Sequence, residues 1–191
     1  MKTVLITGGS RGIGAATARR FAAAGYRVAI NYNRSEREAL KLAEELGGTA
    51  VRADVGDPDQ VQEMVDNVLD KFCQLDILVC NAGIAQQKLF GDLTNEDWKK
   101  IFTVNVEGVF YTIRAALPHM LHRKAGRIVT VSSMWGQVGG SCCHGENAAY
   151  RHYFVIYILK IDPISLPWVS LAVCRYGNSL GTVYYGASTH G

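Results

Sequence analysis

The run Thr7-Gly8-Gly9-Ser10-Arg11-Gly12-Ile13-Gly14 is where residue type and spacing most directly dictate chemistry. It joins an apolar stretch, Thr3–Thr7, to a helically spaced one, Ile13–Ala24. Glycines at 8, 12 and 14 permit a tight turn and let a ligand come close to the backbone. The first N–H groups of the following helix have no intrahelical partner, so they face an anion. A strand, a glycine turn and a helix in that order predict a cradle for a diphosphate. A glycine-rich turn that holds nothing is the alternative, and the flanking strand and helix argue against it.

The elements that must position this turn follow from apolar periodicity. Ile13, Thr17, Phe21 and Ala24 fall on one helical face, and Gly25 stops that helix. Arg27–Tyr32 reads as a second strand. Ser35, with Glu38 three residues on, predicts a capping box for a helix to Leu46. Thr49–Ala53 is a third strand, Asp57-Pro58 opens a helix through Phe72, and Asp76–Cys80 is a fourth strand. Thr94 and Asp97 start one long helix to about His122, and Arg127–Ser132 is a fifth strand. Alternating strands and helices predict an α/β fold: a Rossmann-type doubly wound parallel sheet that binds its ligand at the first strand–helix turn.

Composition narrows the partners. In 191 residues, 48% are apolar and 19% charged, which describes a globular domain with a substantial core. A net charge of +3, with its charges scattered, gives no basic surface for nucleic acid and no membrane-binding face. Met1-Lys2 leads directly into a strand rather than into a signal peptide. The five cysteines have neither metal-ligand nor disulfide-framework spacing. Reduced thiols and a cytoplasmic location are expected.

Several further motifs occur in a telling order: Asp54-Val55 after the third strand, Asn81-Ala82-Gly83 after the fourth, Asn105 within Val104-Asn105-Val106-Glu107-Gly108, and Ser132-Ser133-Met134-Trp135-Gly136 after the fifth. Together with the Gly-x-x-x-Gly-x-Gly turn they resemble the short-chain dehydrogenase/reductase family over residues 1–142. The resemblance implies hydride transfer between a nicotinamide and a carbonyl or alcohol carbon. It also implies a cofactor site of Gly8, Ser10, Arg11, Gly12, Ile13, Gly14, Asn33, Arg34, Ser35, Asp54, Val55, Asn81, Ala82, Gly83 and Val104. Ser133 would orient the carbonyl oxygen and Asn105 would position a relay water. Turn or cap roles for Ser133 and a structural role for Asn105 are the plainer alternatives. Within the family the segment resembles the 3-oxoacyl-acyl-carrier-protein reductases, which are homotetramers acting on a carrier-bound ketone. It also resembles a subgroup that reduces a ketone modification on elongation factor P.

Charge indicates which dinucleotide to expect. A carboxylate at the end of the second strand would hold the ribose 2′-OH of NAD. Here the chain reads Asn31-Tyr32-Asn33-Arg34-Ser35, with no acid before Glu36. Arg34 and Arg11 can approach a 2′-phosphate from two sides, so NADP(H) is the expected cofactor. Both arginines could instead be ordinary solvated surface residues.

Beyond residue 142 the chain changes character. Residues 1–142 hold 32 charged side chains and residues 143–191 hold 5, while aromatics number 10 and 8. The family pattern pairs its catalytic Tyr with a Lys four residues later, about a dozen residues past the Ser. Tyr150 is the nearest Tyr to that position, but Phe154 stands where its Lys should be, and no Tyr-x-x-x-Lys occurs anywhere in the chain. The expectation is a reading-frame disruption or truncation near residue 142 that leaves residues 143–191 as a divergent tail. A divergent family member with a short insertion is the other reading. A nucleotide-binding protein that lacks turnover is the rival to a carbonyl reductase.

Overall fold

The computed structural model describes residues 1–85, 90–133, 154–161, 168–174 and 181–184. Five strands run parallel: β1 (Thr3–Ile6), β2 (Arg27–Tyr32), β3 (Thr49–Arg52), β4 (Ile77–Cys80) and β5 (Gly126–Ser133). Their order in the sheet is β3-β2-β1-β4-β5, so the chain reverses direction across the sheet beside β1. In an open α/β sheet that reversal leaves a crevice beyond the strand C-termini, where ligands bind. The parallel core and flanking helices are those the alternation of apolar and amphipathic segments predicts.

The core lies on both faces of this sheet because β1 and its neighbours are apolar on both. One layer holds Leu5, Ala29, Leu78 and Ile128 against α3 (Pro58–Phe72) and α5 (Gly108–His122). The other holds Val4, Ile6, Val28, Ile30 and Val79 against α1 (Gly12–Ala23) and α2 (Glu36–Leu46). A strand buried on both sides reads as an unbroken apolar run, and Val4-Leu5-Ile6 is one.

Two details differ from expectation, and the tail adds strands. The Ser35 hydroxyl makes no capping hydrogen bond; its backbone, at φ −88° and ψ 61°, does not aim the side chain at the α2 N–H groups. The long helix from Thr94 is broken. A capping box between Thr94 and Asp97 starts α4 (Asn95–Phe102), but a π turn at Thr103–Glu107 separates it from α5. The charge-poor tail contributes β6 (Phe154–Ile161), β7 (Trp168–Cys174) and β8 (Gly181–Tyr184), which extend the sheet from β5 in antiparallel pairing. Gly126 pairs with Ile161 and Ser133 with Phe154. β-branched and aromatic residues favour that extended state.

One contact makes stability depend on pH. His119 on α5 accepts the Leu75 N–H through Nε2 at 3.2 Å. Burial lowers its pKa, Arg123 and His122 add to that, and Asp76 opposes it. The folded chain thus binds this proton less tightly than the unfolded chain, whose His titrates near 6.5. Its contribution is complete above that pH and is lost as pH falls below it. The melting temperature should therefore drop between about pH 7.5 and about pH 5.5, and His119→Gln should flatten that drop. Parallel pH profiles for the two proteins would rule out His119 as the cause.

Candidate functional site

A cleft of about 490 Å³ opens at the C-terminal ends of β1, β2, β3 and β4. Its floor is the turn from β1 into α1. Gly8 sits at φ +59°, and a Cβ there would lie 2.8 Å from the Ala82 Cα. The turn is therefore pressed against the residue that follows Asn81. Gly12 sits at φ +56°, yet a Cβ there would meet nothing within 4 Å, because the space above it is the open cleft. Arg11 supplies no side-chain cap to α1, and the first turn of α1 has no acid. The helix N-terminus thus presents unsatisfied donors and positive potential to empty space.

Hydrogen bonds hold this floor rigid. The Thr7 hydroxyl accepts the Asn81 and Ala82 N–H groups at 3.0 and 3.1 Å. The Asn81 amide donates to the carbonyls of Thr7 and Gly8 at 3.0 and 3.1 Å. From the other side, Asn31 Oδ1 accepts the Gly8 N–H at 3.1 Å, and Asn31 Nδ2 donates to the Ala53 carbonyl at 3.0 Å. Two buried or half-buried amides therefore stitch the turn to β4, β2 and β3.

The π turn accounts for Asn105. One extra residue per turn carries Asn105 toward the loop after β4, where Oδ1 accepts the Ile84 N–H and Nδ2 donates to the Ile84 carbonyl, both at 2.8 Å. Both ends of the Asn105 amide are therefore engaged by the Ile84 backbone. Ser133 ends β5, at the same edge of the sheet as Asn81 and Gly83. Tyr150 lies outside the described residues.

Every residue expected to hold the cofactor lines this one cleft: Gly8, Ser10–Gly14, Asn33–Ser35, Asp54, Val55, Asn81–Gly83 and Val104. Arg11 and Arg34 are exposed and make no ion pair with any described residue. The Asp54 carboxylate is occupied, accepting the Gly56 N–H at 2.9 Å. Glu36, the first acid after β2, accepts the Tyr32 hydroxyl at 3.0 Å; burial, and Glu36 after it, raise the Tyr32 pKa. A cleft with uncapped helix donors at its floor and exposed cations among its lining residues fits a dinucleotide with an additional phosphate.

Sequence reasoning missed Asn31, Tyr32, Ala53, Ile84 and Lys100 as lining residues. The first left a signal: a polar side chain inside Val28-Ala29-Ile30-Asn31 must find partners when the strand is buried. Lys100 lines the cleft from α4, and Val104 from the π turn that follows it. Cys80 carries no chemistry here, because burial pushes its thiol up to about 12.

Sheet order, glycine turn and cleft together define a Rossmann-type α/β protein with its site at the topological switch point. The chain belongs to the short chain dehydrogenase family, which it matches over residues 2–147. It is 39% identical over 143 residues to the 3-oxoacyl-[acyl-carrier-protein] reductase FabG of Staphylococcus aureus strain Mu50, covering 72% of this chain and 58% of that protein. Versicolorin reductase 1 of Dothistroma septosporum is equally similar, at 39% over 144 residues, covering 73% and 54%. The crystal structure of a short chain dehydrogenase from Burkholderia cenocepacia in complex with NADP superposes with a TM-score of 0.61 at 43% identity. It covers 62% of this chain and 50% of that one. The chain thus spans little more than half the length of these relatives.

Proposed function

We propose that this chain binds NADP(H) and acts as a carbonyl reductase of the 3-oxoacyl-thioester type, in the cytoplasm. The observation that carries the reading is the pairing of an uncapped α1 N-terminus with the exposed Arg11 and Arg34, which have no partner among the described residues, along one cleft. Backbone donors at Gly12–Gly14 suit the diphosphate, and the arginines suit a 2′-phosphate. When bound, NADPH supplies the hydride. Ser133 would donate a hydrogen bond to the substrate's carbonyl oxygen and stabilise charge as it develops there. Asn105, held by Ile84, would keep the loop after β4 in place beside it. Tyr150 is the candidate proton donor by position along the chain. Among the described residues no helix is long and apolar enough to cross a membrane.

Trp98, Phe102, Val106 and Phe110 recur every four residues along α4, the π turn and α5, and all are exposed. That stripe supports the homo-oligomer expected of the family. A small-molecule or carrier-bound ketone is the proposed substrate; two relatives of equal identity carry different names, so the matched residues support the class of substrate.

Fluorescence titration followed by a turnover assay with an acetoacetyl thioester tests the reading. NADPH should bind at least about tenfold more tightly than NADH, and Arg34→Ala should erase most of that preference. Ser133→Ala should abolish turnover and leave binding intact. Equal or tighter binding of NADH would overturn the cofactor assignment. A second reading, a dinucleotide-binding protein without turnover, is favoured by the absence of any Tyr-x-x-x-Lys pair in the sequence. Binding without NADPH oxidation would decide for it.

A further inference from the structure

Lys100 lines the cleft from α4, on the side of the sheet that carries α3 and α5, whereas Arg34 lines it from the turn into α2 on the opposite side. The π turn after α4 packs at Gly56, where a Cβ would come 2.7 Å from Thr103 Cγ2. That brings the C-terminal end of α4 to the Asp54–Gly56 corner, of which Asp54 also lines the cleft. Val104, in the π turn after α4, also lines the cleft. Its ammonium makes no hydrogen bond or ion pair with any described residue, and it is exposed. Among the described lining residues, three cations, Arg11, Arg34 and Lys100, stand against the one carboxylate of Asp54, already engaged by Gly56. That excess of positive charge is larger than a dinucleotide diphosphate with helix donors beneath it requires.

We infer that Lys100 is a specificity-determining residue, closing with Arg34 a two-sided clamp on a phosphate at the adenosine 2′ position. The inference rests on the NADP(H) reading above and adds a residue on the far wall to it. An ammonium on a four-carbon stem can reach such a phosphate as a point charge while Arg34 offers a planar fork. The two therefore need not compete for the same oxygens.

Three variants of the full chain separate the possibilities: Lys100→Met, which keeps the stem and removes the charge, Lys100→Glu, and Lys100→Arg. The dissociation constants of NADPH, NADH and 2′,5′-ADP are read for each by fluorescence or calorimetry, at low and high salt. Lys100→Met should weaken NADPH and 2′,5′-ADP by about fivefold, as expected of one partly solvated ion pair, and leave NADH within about twofold. Lys100→Glu should weaken them further, Lys100→Arg should restore them, and the difference from the unaltered chain should shrink at high salt. Because Lys100 is exposed, the variants should melt with the unaltered chain, which removes misfolding as an explanation. Unchanged NADPH binding in Lys100→Met and Lys100→Glu would overturn the inference and make Lys100 a solvated helix lysine. Equal weakening of NADH and NADPH would overturn it too, placing the ammonium against the common part of the two nucleotides. If the unaltered chain bound neither dinucleotide, the NADP(H) reading would itself have failed, and the clamp with it.

Discussion

Gly14→Ala should abolish measurable NADPH binding and destabilise the fold. A Cβ at this position would run into the Gly8 carbonyl oxygen, lie 2.7 Å from Asn81 Nδ2 and 2.8 Å from the Gly9 Cα. These are not the flexible ends of side chains. Two are backbone atoms of the turn, and the third belongs to the amide that already holds the carbonyls of Thr7 and Gly8. Helix α1 must move away from the turn, or the turn must release β4. Overpacking of this kind costs about 1–3 kcal/mol, and losing the buried Asn81 bonds raises the total toward the upper end. Affinity should fall by about 100-fold or more, because the N–H groups no longer converge. Gly12→Ala is the control: its Cβ meets only open space, and its left-handed φ of +56° costs about 1 kcal/mol. Urea unfolding of both variants checks this; a Gly12 variant as unstable as the Gly14 variant would refute the steric account.

The second large effect is expected at Asn31. This side chain is buried at 2% exposure and bridges three segments: Gly8 in the first turn, its own strand β2, and the carbonyl of Ala53 at the end of β3. Asn31→Leu fills the same space and leaves the Gly8 N–H and the Ala53 carbonyl without their side-chain partner. Orphaning two such groups should cost about 2–4 kcal/mol. Dinucleotide affinity should drop as well, since Gly8 and the Ala53–Val55 corner both border the cleft. Asn31→Asp keeps the acceptor for Gly8 but loses the donor to Ala53, and it adds charge in a buried place, so it should be no milder. Equilibrium unfolding decides the matter. A leucine variant within about 0.5 kcal/mol of the unaltered chain would mean that water or backbone adjustment replaces those bonds.

Local spacing made most of the candidate site legible, because its parts are short segments whose backbone conformation depends on their own residues. Only glycine tolerates the positive φ of Gly8 and Gly12 at little strain, so the turn is written in the chain itself. The run of strands followed by helices carries the parallel sheet for the same reason. The capping signals were less dependable. Thr94 and Asp97 form their box, whereas Ser35 and Glu38 present a matching pattern that fails, since the end of β2 sets the Ser35 backbone at ψ 61°. The chain leaves β2 toward the cleft, and that direction, set by the sheet, outweighs a hydrogen bond of modest strength.

Residue identity by itself determined the glycine turn, the strand and helix alternation, and the lack of an acid where an NAD-selective site would carry one. Each of these is a property of a few neighbouring residues. Tertiary structure alone decided that Asn31 ties three strands' ends together, that a π turn swings Asn105 onto Ile84, and that Lys100 and Arg34 line one cleft. Those relations join residues separated by 20 or more positions, and no local periodicity encodes them. They arise because strand order places β1 between β2 and β4 and so folds distant turns onto a single edge of the sheet.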